Sequence, residues 1–338
     1  MAGASSSRRS PERSAAVTEY VGMVLVVASL IAIFSLTAPN FLQLETFRMT
    51  ANQIPEAIIL AVGMTYVLII AGIDLSVGSV LALSSAVLGV CLVRYQLPLP
   101  VAVAASLGAG LACGAVNGSL TVAWRLPSFI VTLGMLQAAR GLTQIVTGQE
   151  TQYFRPMIRG LTSISVLGLS LPFVIAVIIT VLGQIVLRRT VFGRYMVAIG
   201  TNEEAARLSG IDPRRIKLVV FTFCGLLAAV AALAQSTRLG SATPTAGIGL
   251  ELDAIAAVVI GGTSLMGGRG SVIRSVFGVI IIAILGRGLI QLGAEDPTKQ
   301  LITGCVIVAA VIVDHYRRHS FRKARLPVEE PPPPLRQV

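Results

Sequence analysis

An all-α, polytopic membrane protein of about ten transmembrane helices is the fold class this sequence predicts, and three observations predict it. Of 338 residues, 54% are hydrophobic and 13% charged, where about a quarter charged is usual for a soluble domain. Apolar runs long enough to cross a hydrocarbon core, about 20 residues each, recur along nearly the whole chain. No stretch alternates polar and apolar residues as an outer-membrane strand does, so the spans are helices whose backbone groups bond internally.

The elements follow in order. MAGASSSRRSPERS at the start is basic and poor in apolar surface, so residues 1–18 are expected to form a disordered tail. The first span, Glu19–Ala38, is longer than a signal-peptide core and lacks a small-x-small cleavage site, which makes it a retained helix. Spans over Ile54–Ala71 and Ser76–Val93 flank AGIDLSVGS, and Glu56 and Asp74 are the only charges between Ile54 and Val93. Such a break suits a tight turn or a discontinuous helix. Asp74 is placed to cap the following helix by accepting from the N–H groups of Ser76 and Val77. The alternative is a broken helix that lines a cavity and exposes backbone polar groups to a cargo.

The fourth span, Leu99–Val122, carries Gly110, Gly114 and Gly118 at intervals of four residues. This spacing makes one helix face without side chains, on which another helix can pack closely. Asn117 lies beside that face and either hydrogen-bonds a neighbouring backbone or lines a pathway. The fifth span, Ser128–Thr147, holds Arg140 well inside it. A guanidinium at mid-membrane costs about 2.5 to 3.5 kcal/mol on the mildest scale, so Arg140 must be hydrated or paired. The sixth span is Ser170–Leu187.

Then comes RRTVFGRYMVAIGTNEEAARLSGIDPRRIK, Arg188–Lys217, a polar and helix-capable loop in an otherwise apolar chain. A structured, charged loop on one face of a membrane protein reads as a docking site for something soluble. Thr201 and Glu204 have capping-box spacing, Gly210 suits a left-handed C-terminal stop, and Pro213 prevents continuation.

Four more spans follow at Ile216–Gln235, Leu252–Leu265, Ile273–Leu292 and Leu301–His315, the eighth of them short. Arg287 lies about five residues, or roughly 7.5 Å at helical rise, from the outer end of its span, close enough to snorkel. Gly261, Gly262, Gly267, Gly268 and Gly270 cluster between the eighth and ninth spans but lack the Gly-Lys-Ser/Thr of a phosphate loop. A short echo links Asn117-Gly118 followed by Thr132 and Gly134 to Arg287-Gly288 followed by Thr303 and Gly304. It is compatible with an inverted repeat of spans two to five and seven to ten.

Basic residues mark the cytoplasmic side. With the N-terminus inside, only Arg48, Arg94, Arg155, Arg159, Arg238 and Lys299 of the 27 Lys and Arg residues fall in outer segments, and Arg140 and Arg287 lie within spans. Both termini and the Arg188–Lys217 loop are therefore expected to be cytoplasmic. The net charge of +11 is thereby explained by topology and carries no nucleic-acid signal.

Several chemistries are unsupported. Cys91, Cys113, Cys224 and Cys305 fall one to a span with no metal or redox spacing, and read as small packing residues. His315 and His319 have chelating spacing but no acidic or cysteine companions. Ser320-Phe-Arg-Lys323 imitates a penicillin-binding motif without its partners. Asn117-Gly-Ser119 imitates a glycosylation sequon inside an apolar span. No convergent His, Asp or Glu set that an embedded enzyme would need is visible.

Four segments carry a family resemblance: AGIDLSVGSVLAL (Ala71–Leu83), VNG (Val116–Gly118), GRYMVAIGTNEEAARLSGI (Gly193–Ile211) and TAGIGLELDAIAAVVIGGTSLMGGRGS (Thr245–Ser271). They are similar to segments of bacterial ABC-importer permeases of the ribose and monosaccharide type, and the resemblance extends from about Glu19 to Asp314. It implies a non-enzymatic permease in the bacterial cytoplasmic membrane, with a transmembrane domain over 19–315, a coupling loop over 188–217 and a cytoplasmic tail over 316–338. It also implies a second copy of the permease, a cytoplasmic ABC ATPase that carries ATP and Mg, and an extracytoplasmic sugar-binding protein, with no cofactor on this chain.

By the same resemblance the coupling helix lies within Thr201–Gly210 and involves Thr201, Asn202, Glu203, Glu204, Ala205, Arg207, Leu208 and Gly210. Asn117, Arg140, Arg287 and Asp74 are the candidate residues along the substrate path. Two departures stand out: relatives often have asparagine near Arg287, and commonly lysine where Arg269 stands. The rival readings are a branched-chain amino acid permease of the same wider family and an ion-driven secondary transporter.

Overall fold

The computed structural model describes residues 11–158, 165–166, 168–295, 297–306, 308–309 and 312. Residues 1–10 and 316–338, with His315, His319 and the Ser320–Lys323 segment, lie outside the described residues, as does the end of the tenth span. The first helix, α1, runs Pro11–Thr37, so the expected tail is already helical from Pro11 onward.

Eleven further helices follow in order: α2 Leu44–Gln53, α3 Pro55–Ile69, α4 Val77–Val93, α5 Leu99–Ala123, α6 Ser128–Thr147, α7 Leu171–Arg189, α8 Val191–Thr201, α9 Glu203–Leu208, α10 Pro213–Leu239, α11 Leu250–Ile260 and α12 Val272–Gln291. Residues 297–306 are also helical. Four two-residue strands form two short antiparallel pairs: β1 Gln152–Tyr153 with β4 Ser241–Ala242, and β2 Ser165–Val166 with β3 Leu169–Ser170.

Among the described residues six helices are long and apolar enough to cross a membrane, or seven if α2 and α3, which meet at 50°, count as one bent span. The expected ten is therefore not reached by unbroken helices. The helix α4 is a 17-residue segment after a break, and the eighth span is shorter still. The 11 residues of α11 rise only about 16 Å, roughly half a hydrocarbon core. The chain before it, 243–249, is a run of turns with Gly247 and Gly249 left-handed, and it supplies much of the remainder.

The helix α3 explains the arrangement of the rest. Fourteen of its fifteen residues are buried, because it packs against α7, α10, α11 and α12 rather than lipid. A helix apolar on every side belongs in the middle of a bundle. Its partner α10 packs on α3, α4 and most extensively α5. The glycine face expected on α5 makes this possible. A side chain at Gly110 would stand 2.5 Å from the Gly225 carbonyl of α10, and one at Gly225 would stand 2.7 Å from the Gly114 Cα. By contrast α1, α6 and α7 keep many large apolar side chains exposed, including Leu25, Ile145 and Leu182, as lipid-facing helices do.

The connections gather at two ends. At one, Gln152 and Tyr153 pair with Ala242 and Ser241, Asn52 accepts from the Ser170 N–H at 2.8 Å, and Arg238 pairs with Glu56. At the other, the Ile73 N–H donates to Ser128 Oγ at 2.9 Å, and the Gly268 N–H donates to the Ile69 carbonyl at 2.9 Å. These are the segments that the sequence assigned to the outer and inner sides respectively.

Candidate functional site

The break between α3 and α4 is one centre of interest. Its backbone is satisfied by side chains at the start of α6: the Leu75 N–H donates to Thr132 Oγ1 at 3.1 Å, and that hydroxyl donates to the Ile73 carbonyl at 3.2 Å. Non-helical chain is tolerated at membrane depth only when protein supplies such partners. Neither Ser128 nor Thr132 was identified as a partner by sequence. Both sit in the first turns of an ordinary apolar helix, and nothing local reveals what they face.

Inside the break, Asp74 Oδ1 accepts from the Ser76 N–H at 2.9 Å and from Ser76 Oγ at 2.6 Å. Of the two bonds expected at Asp74, the one from the Ser76 N–H forms and the one from Val77 does not; Ser76 is itself the N-cap of α4, which has no side-chain cap, so Asp74 closes a turn ahead of the helix instead of capping it. Asn117 of α5 joins the same group, its Nδ2 donating to Ser76 Oγ at 2.9 Å. Its contact is therefore a side chain of the break and not a neighbouring backbone. Cys224 on α10 is buried close by, in keeping with the packing role read from the sequence. All four residues are buried. Asn117 Oδ1 has no partner within the protein.

The second centre is the run of turns over 243–249 before α11. Gly89 of α4 lies against Ala242, and Gly78, nearer the start of α4, lies against the Gly247 carbonyl and the Glu251 carboxylate. The segment therefore runs down the side of α4, on a stripe where glycine makes room for it. Arg140 of α6 serves this segment, donating to the carbonyls of Pro244 at 3.1 Å and Ala246 at 2.7 Å. That answers the question its depth raised: Arg140 is partnered, by backbone that has no helical bonds of its own. The need for Glu251 became visible only here, as its Oε1 accepts from the Gly249 N–H at 3.3 Å at the entry to α11.

Arg287 lies elsewhere, at the outer end of α12. One of its terminal nitrogens approaches Met49 Sδ of α2 at 3.3 Å, and its Nε has no partner within the protein. The structure thus brings Asp74 and Asn117 together, places Arg140 on the α11 entry, and leaves Arg287 against α2. A fourth feature went unread in the sequence: Glu56 at the start of α3 pairs with Arg238 at the end of α10. The two are 182 positions apart, beyond any local pattern. Among the described residues no group of three or more His, Cys, Asp or Glu could hold a metal ion.

In the Arg188–Lys217 loop the capping box is not formed. Thr201 closes α8 and bonds back to the Val197 carbonyl at 2.7 Å. Asn202 is the N-cap of α9, accepting from the Ala205 N–H at 3.0 Å. Asn202 has the extended backbone an N-cap requires, whereas Thr201 is still helical. Glu204 pairs instead with Arg207 at 2.6 Å, and Glu203 reaches Lys217 of α10 at 2.6 Å. Gly210 does take the left-handed conformation, with φ +83°. The Ile211 N–H bonds the Ala206 carbonyl and the Gly210 N–H bonds Arg207, the two bonds of a Schellman stop. The helix α9 buries Ala206 and presents Leu208, which is 80% exposed.

The glycines of 261–270 have a role after all, as a crossing point. Gly267 and Gly268 are left-handed and lie directly on Gly200 and Thr201 at the end of α8 and on Ala71 after α3.

The comparisons with known proteins agree with this architecture. The chain is 40% identical over 305 residues to the ribose import permease protein of Escherichia coli (strain K12), covering 87% of this chain and 93% of that one. It is 35% identical over 311 residues to the fructose import permease protein of Rhizobium meliloti, covering 88% and 85%. It is 35% identical over 314 residues to the galactofuranose transporter permease protein of E. coli K12, covering 89% and 92%. No solved structure matches. The family described as branched-chain amino acid transport system / permease component matches residues 47–311, and this membrane-spanning chain belongs to it.

Proposed function

We propose that this chain is the permease subunit of an ABC importer in the bacterial cytoplasmic membrane, that its cargo is a sugar, and that it works as a homodimer with a separate cytoplasmic ATPase and an extracytoplasmic sugar-binding protein. The observation that carries the proposal is 40% identity to a ribose import permease over 87% of the chain. Related proteins named for fructose and galactofuranose at 35% identity argue for the sugar class ahead of any one sugar.

In this reading the helix α9 is the coupling helix. It is six residues long, too short to hold itself together in water, and its exposed Leu208 beside the Glu204–Arg207 pair gives an ATPase cleft one apolar anchor and a charged rim. Both termini and the Arg188–Lys217 loop are cytoplasmic. ATP and Mg belong to the ATPase, and this chain binds no cofactor. Closure of the ATPase dimer moves the coupling helix and switches the spans between outward and inward access. The spans of each half form an inverted repeat: α4 on α5 matches α11 on α12, α5 on α10 matches α12 on α3, and α3 on α10 lies between the halves.

The test is uptake by proteoliposomes containing the permease, the ATPase encoded beside it and its binding protein. Uptake of ribose, fructose or galactofuranose should require both ATP and the binding protein. Leucine uptake in their place would favour the amino acid branch, and uptake under an ion gradient without ATP would sink the ABC assignment. The pair Glu204→Lys with Leu208→Asp should abolish co-purification of the ATPase, and persistence of co-purification and uptake would remove α9 as the coupling helix.

A further inference from the structure

The turn 261–271 has no part in the function as stated so far, yet three chain segments are packed there at backbone distance. A Cβ added at Gly267 would stand 2.7 Å from the Gly200 carbonyl and 2.8 Å from the Ala71 side chain. One added at Gly268 would stand 2.5 Å from Thr201 Oγ1, and one at Gly200 would stand 2.5 Å from the Gly268 nitrogen and overlap the Ile69 carbonyl. A hydrogen bond fixes the crossing, since the Gly268 N–H donates to the Ile69 carbonyl at 2.9 Å. That carbonyl is one of the orphans at the C-terminal end of α3.

The turn itself is closed by two backbone hydrogen bonds. The Ser264 N–H bonds the Arg269 carbonyl at 2.9 Å, and the Gly267 N–H bonds the Ser264 carbonyl at 3.1 Å. Gly267 and Gly268 have φ of +85° and +72°, where a side chain is disfavoured even before the collisions are considered. On one side of the crossing, Thr201 is followed directly by the N-cap of α9. On the other, Ile69 and Ala71 lead into 70–76, where Asp74, Ser76 and Asn117 are bonded. Ala71 is itself held at φ +59°, an arrangement that surrounding packing must enforce for a residue with a Cβ.

We propose that Gly200, Gly267 and Gly268 are positioning residues for transport: they clamp the end of the coupling loop to the broken span, so that displacement of α9 is passed to the Asp74–Ser76–Asn117 group through Ile69 and Ala71. The proposal rests on α9 being the coupling helix. The clamp has little that can absorb movement, because its contacts are backbone on backbone apart from the Ala71 Cβ and the Thr201 hydroxyl, and that hydroxyl is itself bonded to the Val197 carbonyl. A shift of Thr201 must therefore move the turn and the end of α3, or break the Gly268–Ile69 bond.

The test uses the full permease with its ATPase and binding protein in proteoliposomes. Gly268→Ala and Gly200→Ala should leave the ATPase co-purifying at wild-type stoichiometry while uptake per ATP hydrolysed falls roughly tenfold. Gly134→Ala, at a glycine with open space around it, should change neither. Wild-type uptake per ATP in the clamp variants overturns the proposal. So does loss of the ATPase from a monodisperse permease, because the turn would then shape the docking surface instead of transmitting from it.

Should the variants fail to fold, hydrogen exchange in the unsubstituted complex decides. On adding a non-hydrolysable ATP analogue, protection should change together in 198–202, 266–270 and 70–76. A response in 198–202 without one in 70–76 overturns the clamp. No response in 198–202 counts instead against α9 as the coupling helix.

Discussion

Arg140 donates a 2.7 Å hydrogen bond to the carbonyl of Ala246, joining α6 to the run of turns that enters α11. The guanidinium and the non-helical backbone each present an unmet electrostatic demand within a membrane, and each meets the other's. Both bonds come from Nη1, one prong of the planar guanidinium fork, which holds its N–H groups in fixed directions toward the two carbonyls.

Arg140→Ala should accordingly be worse than the loss of one surface charge. The Pro244 and Ala246 carbonyls would be left without these donors, at about 1 to 3 kcal/mol for each group left unsatisfied. We expect uptake and binding-protein-stimulated ATP hydrolysis to fall together, with Arg140→Lys intermediate because an ammonium lacks the fork. Full activity of Arg140→Ala in both assays would remove Arg140 from the path and from the support of α11.

The contact of α5 with α10 predicts a steric result. Gly225→Leu would drive a side chain into Gly110 and Gly114, and overpacking of this kind costs about 1 to 3 kcal/mol or more. Thermal unfolding in detergent should show a clearly lowered midpoint. Gly108→Leu, where nothing lies within 4 Å, serves as the control. Equal midpoints for the two would mean that the helices part without penalty.

The Glu56–Arg238 pair is asymmetric in exposure, with the Glu56 side chain 6% exposed and that of Arg238 34%. Removing only the arginine strands a buried carboxylate, so Arg238→Ala should destabilise by about 3 kcal/mol. The double variant Glu56→Gln with Arg238→Gln should recover much of that, since neither residue is then charged. A double variant no more stable than Arg238→Ala in the same thermal assay would show that charge is not what the site requires.

How much was legible follows from what each residue needed as its partner. The glycine face of α5, the break after Ala71, the Asp74–Ser76 bond and the Gly210 stop depend on residues a few positions apart, and all were readable. The N-cap was placed one residue early, at Thr201, and no capping box forms because the residue three after Asn202 is Ala205. Asn202 also caps well, and only the backbone decides which residue leaves the helix first. The partners of Ser128, Thr132 and Glu56 went unread because they lie on other elements, far away in the chain. Arg140 was recognised as costly from its depth, but its partners are carbonyls, which every residue has and no sequence pattern marks.

The sequence by itself determined that the chain lives in a membrane, how its apolar runs are spaced, and which connections share a side. Those properties follow from the transfer of residues from water to hydrocarbon, a sum over local composition. Tertiary structure decided which helix is central, how the short eighth span is completed by a run of turns along α4, and that the 261–271 glycines form a crossing rather than a ligand loop. Those outcomes depend on backbones meeting at a few ångströms across long separations in the chain, where the identity of a residue matters less than the space its neighbour leaves.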